Sequence, residues 1–75
     1  MAKKYSTAYV AENIYYLRKK RLIMSQEKFS EVTDLSVDTI SNIERGRYCP
    51  NLETLVRISN GTNTPIEYFL LENEE

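Results

Sequence analysis

The chain has no histidine and no tryptophan, and among its 75 residues there are only one cysteine, two glycines and two prolines. Without histidine, and with Cys49 alone, no residue set has the spacing of a transition-metal site, and no Ser-His or Cys-His pair exists for nucleophilic catalysis. There is no glycine-rich phosphate loop, and the carboxylates are scattered through the chain rather than paired. The expectation is a protein that is not an enzyme and needs no metal or cofactor. A single cysteine also excludes an internal disulfide, and Cys49 reads as a bystander thiol. No apolar run exceeds four residues, far short of the roughly 20 needed to span a bilayer and too short for a secretory signal. A cytoplasmic protein is expected. Scarce glycine and proline with 41% hydrophobic residues favour a compact helical domain, close to the lower size limit for a self-supporting core.

Net charge is −1 overall, but the two signs are separated. Residues 1–50 hold nine Lys or Arg against six acids, whereas residues 51–75 hold Arg57 against five acids. A local basic face could come from Arg18, Lys19, Lys20, Arg21, Arg45 and Arg47, and such a face is what phosphate binding requires. The bland alternative for Arg18 to Arg21 is a solvated helix end, where the dipole favours cations.

Apolar spacing defines the elements. Met1 to Thr7 has no periodicity and reads as a flexible arm, residues 8–71 as the domain, and residues 72–75 as an acidic, frayed tail. Val10, Ile14 and Leu17 recur on one stripe of a first helix from about Ala8 to Arg21. Ser25 caps a second helix, Gln26 to about Thr33, with Phe29 and Val32 as its buried anchors. Asp34 and Leu35 form a turn, Ser36 caps a third helix over Val37 to Arg45, and Gly46 stops it. Asn51 caps a fourth helix carrying Leu52, Leu55 and Ile58 inward, ended by Gly61 and Asn63. Thr64 as cap, Pro65 at the first helical position and Glu67 start a fifth, with Ile66, Phe69 and Leu70 buried.

In the third helix Ile40 and Ile43 face the core, leaving Val37, Asp38, Ser41 and Asn42 on other faces. Short polar side chains at the entry of a short helix suit a DNA major groove. The residues Leu17-Arg18, Ser25-Gln26-Glu27, Ser36, Thr39-Ile40-Ser41, Ile43-Glu44-Arg45-Gly46, Pro50 and Leu52-Glu53-Thr54-Leu55 carry a resemblance over about Val10 to Leu70. The chain resembles the helix-turn-helix domain of the lambda repressor and Cro family, also called the xenobiotic-response-element type. The resemblance implies an all-α, five-helix, lambda-repressor-like fold. It also implies a sequence-specific DNA-binding transcriptional regulator, a repressor acting as a homodimer on double-stranded DNA with a palindromic operator.

Residue roles follow from the same resemblance. Val37, Asp38, Ser41 and Asn42 match the base-reading positions, where Asn42 suits adenine and Val37 a thymine methyl. Gln26, Thr39, Arg45, Arg47 and Tyr48 match the phosphate-binding positions. Glu44 matches an acid paired with an arginine of the first helix, here Arg18. One residue more than the usual spacing separates Leu17-Arg18 from Ser25-Gln26, so Lys19 stays open as the partner instead.

Other departures bear on function and stability. Asp34 replaces a turn glycine, and Thr33 and Thr62 replace leucines. The thinner core implies a weak monomer, with helix five or the C-terminal segment covered in a dimer. Asp38 is an acid at a base-reading position. It either accepts from cytosine N4 or serves as a first-turn acid favoured by the helix dipole. A reading from a different class also stays open: a protein-interaction module, adaptor or antitoxin-like, that keeps the scaffold without specific DNA binding and partners a protein regulator.

Overall fold

The structure is a computed structural model that describes residues 4–73. Among them are five α-helices and no strand: α1 (Val10–Tyr16), α2 (Gln26–Thr33), α3 (Val37–Glu44), α4 (Leu52–Thr62) and α5 (Glu67–Leu70). A 3-10 turn over Thr7–Tyr9 precedes α1, and a π-helical turn over Leu17–Arg21 prolongs it. The helices enclose a core of Val10, Ile14, Leu17, Phe29, Ile40, Ile43, Leu55, Ile58 and Phe69. No helix among the described residues is long and apolar enough to cross a membrane.

Local chemistry explains most helix boundaries. Ser25, Ser36 and Asn51 each accept a hydrogen bond from the backbone N–H three residues on, at 3.0, 3.0 and 2.9 Å, satisfying one orphan donor of α2, α3 and α4. Asp34 takes the left-handed backbone at the α2–α3 turn, φ 59°, as an Asp tolerates better than most residues. At the other end of α3, Gly46 has φ 74°. Its N–H bonds Ile43 O at 3.0 Å and the Arg47 N–H bonds Asn42 O at 2.9 Å, the paired closure of a Schellman motif.

The π-helical turn resolves the spacing problem in the sequence. Leu22 N–H donates to Leu17 O at 2.8 Å and Met24 N–H to Arg18 O at 2.9 Å, so the chain makes a wider loop than the i to i+4 ladder. A π-turn accommodates one additional residue without rotating what precedes it. Arg18 keeps its place facing α3, and Lys19 lies exposed with its ammonium 6.0 Å from the Tyr15 ring centroid. Ile23 leaves this turn with φ 53°, an unusual backbone for a β-branched residue.

Several expected boundaries and burials shift. The third helix ends at Glu44, with Arg45 as its cap. Leu52 is 68% exposed because it is the first residue of α4, and a strict three-residue spacing drifts by about 60° per step around a helix of 3.6 residues per turn. Val32 and Ile66 are only half-buried. Gly61 lies inside α4 instead of ending it, and Asn63 takes the left-handed cap, φ 53°. Thr64 does not cap α5: its hydroxyl donates to Thr62 O at 3.2 Å. Of the expected flexible arm, Met1 to Lys3 lie outside the described residues. Its remainder is tied down, with Tyr5 bridged to Leu71 and Ser6 N–H donating to Leu70 O at 2.9 Å. Of the tail, Glu74 and Glu75 lie outside the described residues.

Asn13 holds this terminal junction and has no counterpart in the sequence reading. It is 1% exposed, and its Nδ2 donates to Phe69 O at 3.0 Å and Leu71 O at 2.6 Å, closing the carbonyl end of α5. Asn13→Ala strands both carbonyls. A loss of about 1–3 kcal/mol is expected for such groups, read as a lower urea midpoint, with earlier hydrogen exchange at Ser6 than in α3.

Candidate nucleic-acid interface

With 3.6 residues per turn, the side of α3 opposite Ile40 and Ile43 centres on Asp38, flanked by Ser41 and Asn42. Val37 and Asp38 are exposed, and Ser41 and Asn42 half-buried. All four expected base-reading residues are therefore reachable from outside. Asn42 Nδ2 lies 3.5 Å from Asp38 Oδ2 as donor to it, one helical turn away on the same face.

The Schellman closure positions the residues after α3. By anchoring Arg47 to Asn42 it folds the following loop back beside the helix. Thr39, Asn42, Arg47 and Tyr48 thereby line one open hollow of about 420 Å³. The hollow brings members of the expected base-reading and phosphate-binding sets together. Thr39 Oγ1 accepts from Ser36 Oγ at 2.8 Å, which leaves its own proton for a partner. Arg45 and Arg47 are exposed. Among the described residues the ion pairs are Arg18–Glu44, Lys28–Glu31 and Arg57–Glu53, so both arginines keep their charge uncommitted.

Two other members of the expected basic face are engaged within the protein. Arg18 is 8% exposed and its fork is spent inside the protein. Arg21 stacks over the Tyr68 ring at 5.7 Å, against α5. Arg45, the C-cap of α3, and Arg47 just beyond it bring positive charge to the end of that helix.

Behind the exposed face a buried polar knot fixes the angle between helices. Arg18 Nε and Nη2 donate to Glu44 Oε2 and Oε1 at 2.7 and 3.0 Å, and Nη1 donates to Met24 O at 2.8 Å. The side chains of Arg18 and Glu44 are 10% and 6% exposed. The hydrogen bond to Glu44 raises the Arg18 pKa above its ordinary value, burial opposes the shift, and the Glu44 charge adds to it. Gln26 Nε2 also donates to Glu44 Oε1, at 3.2 Å, so this amide is partly engaged within the protein. The knot ties the end of the first helical segment, the start of α2 and the end of α3 to one carboxylate. No group of three or more potential metal ligands occurs among the described residues.

Comparisons with known proteins identify the family and the fold. The helix-turn-helix family matches residues 14–69. Over 58 residues the chain is 38% identical to the plasmid copy control protein CopR of Streptococcus agalactiae, covering 77% of this chain and 63% of that protein. The chain thus spans somewhat less than two thirds of that relative's length. A crystal structure of an HTH_3 family transcriptional regulator from Vibrio cholerae is similar with TM-score 0.77 and 28% identity, covering 84% of this chain and 35% of that one. The hypothetical transcription factor NHTF from Neisseria shares the fold, with TM-score 0.78 and 22% identity over 91% of this chain and 77% of that one.

Proposed function

Because the chain belongs to the xenobiotic-response-element type of helix-turn-helix proteins, we propose that it is a sequence-specific DNA-binding transcriptional regulator with α3 as its recognition helix. It acts as a repressor, binding a palindromic operator as a homodimer. Two copies of α3 then enter successive major grooves about 34 Å apart. The observation that carries this reading is the hollow beside α3, where unpaired Arg47 stands next to Asn42 and Thr39. Val37, Asp38, Ser41 and Asn42 meet base edges. Arg45, Arg47, Tyr48, Thr39 and Gln26 meet the phosphate backbone, Gln26 through the amide N–H that Glu44 does not occupy and the start of α2. The relative's name, a plasmid copy control protein, is consistent with a regulatory role.

Selection of bound sequences from a random DNA pool at two salt concentrations tests this function. A palindromic motif is expected, with an affinity that falls steeply as salt rises. Replacing Arg45 and Arg47 together by alanine removes two phosphate contacts. The slope of log affinity against log salt should become shallower by about 0.9 for each phosphate lost, with the preferred sequence unchanged. No enrichment by the wild-type protein at low salt would instead favour the adaptor reading, for which exposed Asp38 on the outer face of α3 is the supporting feature.

A further inference from the structure

We propose that Asp38 and Asn42 act as one reading unit whose preferred contact is the N4 amino group of cytosine in the major groove. This inference rests on the DNA-binding reading above and adds a base identity to it. The two residues lie one turn apart on the outer face of α3, and the Asn42 side-chain amide NH2 is turned toward the Asp38 carboxylate, Nδ2 to Oδ2 at 3.5 Å.

The chemistry of that contact changes what Asn42 can read. A free asparagine recognises adenine by donating to N7 while accepting from the N6 amino group. Here Asp38 competes for the donating amide NH2, and an ionised carboxylate has only acceptor oxygens. Any base edge that presents N7 beside the pair sets a lone pair against a carboxylate. Adenine and guanine both carry N7 on that edge. Cytosine offers a donor at N4 without an acceptor beside it on the same base, and the one N4 hydrogen left free by pairing with guanine meets the Asp38 carboxylate, which Asn42 holds in place from the next turn. An acid at this position therefore selects cytosine over a purine on the strand it faces, which simple repulsion between Asp38 and the phosphate backbone would not produce, since that repulsion is the same on every sequence.

The test repeats the random-pool selection with the wild-type chain and with Asp38→Ala, Asp38→Asn and Asn42→Ala. Asp38 is exposed, and a thermal melt of each variant establishes that it is folded. The wild type should enrich cytosine at one position of each half-site. Asp38→Ala and Asp38→Asn should both move that position toward adenine, by about tenfold in relative preference, with the other positions unchanged. Asn42→Ala should weaken selection at the same position. Adenine at that position in the wild type would overturn the proposal, as would an equal rise in affinity for all sequences on removing the Asp38 charge. A palindromic motif that none of the three variants alters would overturn the pairing while leaving the DNA-binding function standing. Absence of any motif in the wild type would remove both.

Discussion

Arg18→Ala is expected to cost about 3–5 kcal/mol, because it leaves the Glu44 carboxylate, 6% exposed, buried without its partner. Small domains have only about 5–15 kcal/mol of stability in total, so this one substitution removes much of it. Three hydrogen bonds go at once: two to the carboxylate and one to Met24 O. Arg18→Lys should be nearly as damaging, since an ammonium cannot reproduce a planar fork that serves two carboxylate oxygens and a carbonyl together. Replacing both Arg18 and Glu44 by methionine should cost less than either single truncation, because no unpaired charge is left behind. Lys19→Ala, by contrast, should be nearly neutral, which distinguishes the two arginine-or-lysine assignments that the sequence leaves open. Urea unfolding of these variants, with Glu44→Ala as the second single truncation, measures all of these differences.

The pH dependence of this contribution has a definite sign. Arg18 has a raised pKa in the folded chain. Its stabilising effect is fully present below the ordinary arginine value and is lost only as pH rises through the raised one. Through the neutral and mildly alkaline range the Arg18 contribution should stay constant. The functional consequence of losing it is larger than the stability figure alone suggests. Glu44 also receives Gln26 at 3.2 Å, so the same carboxylate sets how the start of α2 stands against the end of α3. Those are the two helices that meet DNA in the proposed function.

The sequence made the five helices legible because their signals are local. Ser25, Ser36 and Asn51 are capping residues by their own chemistry, and Gly46 and Asp34 suit the left-handed positions they occupy. The exposed side of α3 was legible because Ile40 and Ile43 define its opposite. What escaped depends on contacts between segments far apart in sequence. The π-turn shows in the sequence only as a surplus residue before Ser25, with no residue type that marks where the bulge falls. Asn13 gave a signal that could have been read, as a polar residue on the stripe of Val10, Ile14 and Leu17, but its partners Phe69 O and Leu71 O are more than 50 residues away. Arg18 to Arg21 look alike as a charge run. Only the packing separates a buried clamp from a cation stacked on Tyr68.

Gly61 belongs to the same class, and it yields the second large prediction. Read from sequence, a glycine followed by Thr62 where leucine is usual suggests a weak helix end and a thin core. In the structure Gly61 sits within α4 against the backbone of α2: a Cβ there would fall 2.0 Å from Val32 O, 2.8 Å from Val32 C and 3.1 Å from the Thr33 Cα. The absent side chain brings the two helices together, and the threonine hydroxyls satisfy themselves locally, Thr33 on Phe29 O at 2.7 Å and Thr62 on Ile58 O at 2.6 Å. Helix propensity alone predicts that Gly61→Ala stabilises by about 1 kcal/mol. The clash should reverse the sign, because overpacking costs about 1–3 kcal/mol, with the upper end expected where backbone must move, for a net loss of about 2 kcal/mol in urea unfolding. The obstacle is a main-chain carbonyl, so trimming the neighbouring side chain gives no relief, and Val32→Ala combined with Gly61→Ala should be less stable than Gly61→Ala alone. Asn60→Ala, exposed one residue earlier on α4, should be neutral or slightly stabilising. A Gly61→Ala variant as stable as the wild type would mean that α4 can shift outward freely, and that the α2–α4 contact does not determine where the helix-turn-helix pair sits.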